Sequence, residues 1–301
     1  SDYLIYRCIG LPFYLLNMHS TAVLRGLKHA KVTLYSAIIV SISNIIFSLF
    51  FGLFLGYGAG GIGFASSAAF FIASIYSLTV LKKEQDSLIV SYENVDKASM
   101  RRKFFNVGFY IVIRSLFLTL FFAYIRNRAA LMSMEEIALQ HILLQLWSVG
   151  YIFVDAIAIA AQTLISELIS KKEKYQNSLL QKELVSVTTV ISVFLSIIPL
   201  IFLESFVELL TGNRFDVFVD LRLKVIVSIS LFIGCFAFLW DGVLLGLDKP
   251  KEFSVLSILS ATVGFLVCSY LLMFQNTIET LWVSINASLI IRAGLGYIFQ
   301  K

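Results

Sequence analysis

Nine separate apolar runs of about twenty residues or more divide this chain, and a water-soluble fold has no core large enough to bury them. They lie at about 3–24, 32–55, 62–81, 104–125, 137–168, 183–203, 221–247, 253–274 and 281–299, each bounded by charge, Gly or Pro. About 20 apolar residues carry a helix across the hydrocarbon core of a bilayer, so each run reads as a membrane span. An open strand cannot satisfy its backbone polar groups in lipid, and the short alternating segments of a barrel are absent. The fifth run exceeds one simple crossing, and its ends are expected to project into the interface. Composition agrees: 58% of residues are hydrophobic and 14% charged, against roughly 25% charged in soluble domains. The expected fold class is therefore an all-α polytopic membrane protein with loops too short to hold a soluble catalytic domain.

Lys and Arg set the orientation, because cytoplasmic loops retain them. Arg25, Lys28 and Lys31 follow the first span; Lys82, Lys83, Lys97, Arg101, Arg102 and Lys103 follow the third. Lys171, Lys172, Lys174 and Lys182 follow the fifth, and Lys249, Lys251 and Lys301 complete the set. The alternate loops hold Arg126, Arg128, Arg214, Arg222 and Lys224, and the 204–220 loop is acidic. The N-terminus is expected outside and the C-terminus in the cytoplasm. The net charge of +5 is thus topology spread over loops, not a basic patch for nucleic acid. Cys8, Cys235 and Cys268 all fall within apolar runs and read as small packing residues.

An internal repeat extends the argument. Val23/Val243, Leu24/Leu244, Gly26/Gly246, Leu27/Leu247 and Lys31/Lys251 match at a constant offset of 220, each stretch ending an outside-to-inside helix and followed by two more. The first and seventh spans would then open equivalent triplets in a six-plus-six arrangement of parallel repeats, an architecture of secondary transporters. Three spans precede the second triplet and none precedes the first. The chain, which opens Ser1-Asp2-Tyr3, is expected to be nine spans of a twelve-span protein. Residues 1–81 would be the last three helices of an N-terminal lobe, 82–103 a cytoplasmic linker, and 104–301 a six-helix C-terminal lobe.

Ionisable residues inside a bilayer cost about 2.5–3.5 kcal/mol each, so they face protein or water and tend to pair. Arg114, Asp155, Asp241 and Arg292 qualify, with Arg7 nearer the outer end. Two Arg and two Asp permit neutral pairing, and depth along the helices lets Arg114 reach one carboxylate. On the fifth span His141, Gln145, Ser148, Asp155, Gln162 and Ser166 recur at helical spacing on one narrow stripe. Such a stripe lines a cavity or a bundle interior. Ser41, Asn44 and Ser48 share a face of the second span, where small polar residues also serve as helix-packing glue. Gly56 through Gly63 lacks phosphate-loop spacing and reads as a tight turn. Pro12 and Pro199 are candidate kinks. No HExxH, GxSxG or Cys/His cluster occurs, so the residues offer no enzyme nucleophile, metal centre or cofactor site.

Three stretches resemble the multidrug and toxic compound extrusion (MATE) exporters, and within them the DinF-like branch. Tyr3 through Leu27, with Arg7, Pro12 and Arg25-Gly26-Leu27, followed by Asn44 and the Gly60–Gly63 turn, is similar to the family's fourth to sixth helices. Ile113-Arg114-Ser115-Leu116, then Gln140-His141-Ile142-Leu143-Leu144-Gln145-Leu146-Trp147 and Asp155 through Gln162, resembles the seventh and eighth. Leu239-Trp240-Asp241-Gly242-Val243-Leu244-Leu245-Gly246 resembles the tenth. The resemblance implies export of bulky organic compounds, often cationic, driven by inward H+ or Na+, with two lobes rocking about a cleft in the plasma membrane.

The family's Asn-x-x-x-Asp pattern reads Asn44-x-x-x-Ser48 here, and Arg114 stands where another branch places Glu. Both departures move the expected coupling carboxylates to Asp241 and Asp155, with Arg114 as their charge partner. His141, Gln145, Ser148, Gln162, Asn44 and Ser48 are the expected cavity-lining groups. A monomer embedded in lipid, taking a small organic substrate and no nucleic acid, is the expected state. Two other readings stay open: a lipid-linked oligosaccharide flippase of the same superfamily, and a non-transporting membrane scaffold whose polar stripe packs shut.

Overall fold

The first apolar run does not fold as one helix. In the computed structural model, which describes residues 2–27, 29–84, 96–211 and 219–300, it divides into α1 (Asp2–Ile9) and α2 (Leu11–Gly26). The break falls at Gly10, whose N–H turns back to the Arg7 carbonyl at 3.2 Å, where a continuous α-helix would use Tyr6. The Ser67 hydroxyl donates to the freed Tyr6 carbonyl at 2.6 Å. A Cβ at Gly10 would stand 2.8 Å from the Ser67 Cα, so the break is also a point of close helix contact. Pro12 lies in the first turn of α2, where its missing N–H costs nothing.

The remaining helices are α3 (Ala30–Phe47), continued by a π-helical turn at Ser48–Phe54, then α4 (Gly58–Lys83), α5 (Lys97–Ala129) and α6 (Met134–Ser170). They are followed by α7 (Lys174–Thr211), α8 (Leu221–Gly246), α9 (Pro250–Leu271) and α10 (Ile278–Phe299). Among the described residues eight helices are long and apolar enough to cross a membrane. The ninth expected span is the divided pair α1–α2. Pro199 lies within α7 without ending it. At the start of α6 a capping box ties Ser133 to Glu136 in both directions, which extends this helix beyond its apolar run.

Several boundaries differ from expectation, and α7 takes in Lys182 and Glu204, which were expected in the loops on either side of it. The glycine-rich turn is confined to Gly56, Tyr57 and Gly58, with φ of +70° at Gly56 and +53° at Gly58. Those left-handed angles suit glycine. Gly60, Gly61 and Gly63 lie inside α4 instead, and a Cβ on Gly61 would meet the Phe51 carbonyl oxygen at 2.5 Å. They serve close packing rather than turning. The basic residues Lys97 to Lys103, expected in a linker, form the first turns of α5; residues 85–95 of that expected linker, with Lys28, Arg214 and Lys301, lie outside the described residues.

The repeat read from five matched residues extends through three helices. Ala30 and Gly58 open α3 and α4, and Pro250 and Ile278, each 220 positions further on, open α9 and α10. Packing repeats as well: α4 packs on α1, α2 and α3, and α10 packs on α8 and α9. The chain divides into two units, Ser1–Asp96 and Lys97–Lys301.

In the second unit α8 is central, with α6, α7 and α10 packed on it, while α9 links α10 to α5. Lipid supplies no hydrophobic drive between helices, so close approach through small residues holds them together. Gly242 shows this best, because a Cβ there would lie 2.2 Å from the Ala158 carbonyl oxygen of α6. Gly242→Val is expected to pry α6 from α8 and lower stability by at least about 1–3 kcal/mol. A melting curve of the purified variant in detergent checks this, and an unchanged midpoint would contradict the close approach.

Candidate functional site

Three helices of the second unit deliver charge to one buried point. α8 carries Asp241, α10 carries Arg292, and α5 carries Arg114. Arg292 Nε donates to Asp241 Oδ1 at 3.2 Å and its Nη2 contacts Oδ2. Arg114 Nη2 donates to Asp241 Oδ2 at 3.0 Å, and its Nε donates to the Ser257 hydroxyl at 3.0 Å. Each guanidinium also lies over an aromatic ring, Arg114 on Phe253 at 4.2 Å and Arg292 on Phe238 at 4.9 Å. Stacking and charge-assisted hydrogen bonding together are what allow Arg to be buried. The Asp241 and Arg292 side chains are 8% and 7% exposed, whereas Arg114 is 19% exposed. Arg114 is thus the member of the cluster nearest the surface of the unit.

This differs from two neutral pairs. Asp241 accepts from both arginines, and Asp155 stands apart, acting on Arg114 more weakly through space than Asp241 does. The cluster formally carries one positive charge in excess. Depth counting alone could place Arg114 near either Asp; it could not show that Arg292 on α10 turns to the same carboxylate.

The polar stripe lies on the opposite side of its helix from the packing face. Leu143, Gly150, Val154, Ala158, Ala161 and Ile165 of α6 are buried in the unit. His141, Gln145, Ser148, Asp155, Gln162 and Ser166 are all exposed on it. Ser148 donates to the Gln145 carbonyl at 2.8 Å. Asp155 has no ion pair among the described residues. The six residues share one face, as the helical spacing requires, and α6 turns that face out of its own bundle and not into the bundle interior.

The first unit holds neutral polar groups. Asn44 Oδ1 accepts from the Ser48 hydroxyl at 3.3 Å and the Ser66 hydroxyl at 3.2 Å, so the expected Asn44–Ser48 pair gains a third member from α4. Ser48 opens the π-helical turn, a form of distortion frequent at functional sites. Ser41 is exposed.

A second knot was not anticipated. Asn17 Oδ1 on α2 accepts from Ser36 of α3 at 2.8 Å and Ser77 of α4 at 2.9 Å. It joins the same three repeated helices that meet near Asp241, Ser257 and Arg292 in the second unit. The one available signal was a lone Asn in an apolar run. Gln140 was also missed as a partner: it accepts from Trp282 Nε1 at 2.8 Å in the buried interior. From there Trp282, Trp147, Tyr151 and Phe238 follow in ring-to-ring contact to Arg292.

No family model matches the chain. A solved structure, an outward-facing multidrug resistance MATE family transporter of the MOP superfamily, matches 99% of this chain and 68% of its own. The TM-score is 0.87 at 14% sequence identity. This is the MATE fold. Among curated proteins, Protein DETOXIFICATION 42 of Arabidopsis thaliana is 22% identical over 305 residues, 98% of this chain and 56% of the plant protein. Lipid II flippase MurJ of Thermosipho africanus is 38% identical over 82 residues, 27% of this chain and 17% of the flippase. The chain spans about half the length of the plant relatives that it matches over most of its own. On the MATE fold of this chain, then, one unit carries a buried charge cluster beside an outward polar stripe, and the other carries two neutral polar knots.

Proposed function

We propose that the chain belongs to a secondary active antiporter of the DinF-like branch, exporting organic compounds, among them xenobiotics and cationic drugs, in exchange for H+ or Na+. It acts as a monomer of the plasma membrane by alternating access. In this reading the first unit is the last half of an N-terminal lobe and the second a whole C-terminal lobe. The observation that carries it is the stripe of α6, turned out of its own bundle. An Asp facing lipid at the helix centre costs about 2.5–3.5 kcal/mol. A face that holds Asp155 with His141, Gln145, Ser148 and Gln162 is therefore a face for water and solute. A scaffold would pack that stripe shut within the bundle.

The two carboxylates divide the work in this proposal. Asp155 is the carboxylate that ions reach, while Asp241 holds Arg114 and Arg292 in place. Arg114, bonded to Asp241 and within the field of Asp155, is the charge partner of both. A carboxylate that exchanges an ion or a cationic neighbour during the cycle changes its proton affinity, which is the physical basis of coupling. Asn44 and Ser48 are the cavity-lining groups of the first unit in this proposal, and in the second unit Gln162 continues the stripe beyond Asp155.

The test is the full-length protein in proteoliposomes with an imposed H+ or Na+ gradient. Efflux of a fluorescent organic cation should accelerate several-fold with one of the two gradients. Transport indifferent to both would remove the antiport reading. A second reading, translocation of a lipid-linked oligosaccharide, draws on the excess guanidinium charge and on the 82 residues similar to the lipid II flippase. Gradient-independent movement of a polyprenyl pyrophosphate analogue would favour it.

A further inference from the structure

The first turns of α5 combine two features that no transport role uses. At 33 residues the helix is about 50 Å long, against about 30 Å of hydrocarbon, so its beginning stands at or beyond the membrane interface. There a cavity of about 330 Å³ is lined by Arg102, Lys103, Ser99, Asn106 and Tyr110 of α5, closed by Asp248 and Pro250 at the α8–α9 turn. Beside it, sharing Asn106, runs a groove of about 530 Å³ lined by Phe104, Phe105, Gly108, Phe109 and Val112. Phe104, Phe105 and Phe109 are 72%, 66% and 61% exposed, and nothing would touch a Cβ at Gly108.

We infer that this pair of cavities is a binding site for an anionic phospholipid, with the phosphate headgroup in the basic pocket and an acyl chain in the aromatic groove. Charge complementarity selects the headgroup. Lys103 is paired with Asp248 at 2.5 Å, which leaves Arg102 as the cation of the pocket with no ion pair among the described residues. Its planar fork of donors matches phosphate oxygens, and Ser99, Asn106 and Tyr110 add neutral hydrogen-bonding groups. Continuity selects a lipid over free phosphate, because pocket and groove share Asn106 and lie side by side along the same turns of α5. Aromatic residues at this level are the common interface anchors of membrane proteins.

The site is tested on the full-length protein in detergent, by native mass spectrometry with phosphatidylglycerol and phosphatidylcholine as probes. Phosphatidylglycerol should be retained preferentially. Arg102→Ala should weaken that retention about fivefold, the equivalent of about 1 kcal/mol for one basic residue at an anionic surface, and Arg102→Lys should keep most of it. Phe105→Ala with Phe109→Ala should weaken retention of both lipids. All three side chains are exposed, so folding is not at stake, and melting midpoints verify it. Equal retention of the two lipids by the unmodified protein would overturn the inference. So would retention unaffected by Arg102→Ala, or displacement of phosphatidylglycerol by millimolar inorganic phosphate, which would show an anion pocket without a lipid groove.

Discussion

Asp241→Asn should yield a protein that melts far below the unmodified one and no longer transports. The substitution leaves two guanidinium groups without a carboxylate, one of them, on Arg292, almost wholly buried. Breaking a buried pair by removing one partner costs about 3–5 kcal/mol, because the remaining charge has been taken out of water and nothing offsets it. Asn keeps one acceptor oxygen, so the loss should fall toward the lower end. The double variant Asp241→Asn/Arg292→Gln separates stability from transport. A neutral amide pair removes the more deeply buried of the two stranded charges, and much of the melting midpoint should return. Efflux should not return, because Arg114 still lacks its counter-charge. Thermal melts and proteoliposome efflux on the same preparations supply the measurement. An Asp241→Asn protein with unaltered melting and efflux would deprive the cluster of any role.

Asp155→Asn should behave oppositely. Asp155 is exposed on α6 and makes no ion pair among the described residues, so its replacement should alter stability by no more than about 0.5 kcal/mol, as for surface sites in general. Gradient-driven efflux should nevertheless fall by about tenfold or more, a loss of about 1.4 kcal/mol in the coupled step. Asp155→Glu should restore part of it, since a carboxylate one methylene longer can still exchange an ion. Efflux at the normal rate in Asp155→Asn, at equal expression and melting, would pass the coupling role to other residues. Read together, the two variants distinguish a carboxylate that holds the bundle from one that works at its surface.

How much of this was legible in the sequence depends on the range of the interaction. The stripe from His141 to Gln162 is a property of one helix, and a period of 3.6 residues places its members on one face whatever surrounds it. The repeat was legible for a similar reason, as a register kept along the chain from Val23/Val243 to the starts of α4 and α10. The kink expected from Pro12 falls two residues before it, at Gly10. Proline marks a lost hydrogen bond, whereas the break depends on a hydroxyl at Ser67, far away in sequence, that accommodates the freed carbonyl. The glycines of α4 were misread as a turn because glycine has two uses, and only the approach of the Phe51 backbone shows which one applies at Gly61.

By itself, then, the sequence determined that the chain is helical, that it lies in a bilayer, where its spans fall and which face of α6 is polar. These follow from the cost of unsatisfied backbone groups in lipid and from helical periodicity, both local along the chain. The tertiary structure decided which charges meet. Arg114, Asp241 and Arg292 come from three helices, and a carboxylate with two guanidinium groups within reach takes both once packing brings α5 and α10 to α8. It also decided that the polar face of α6 points out of its bundle. Periodicity fixes the position of a side chain around its own axis, but only the neighbouring helices decide which way that axis is turned.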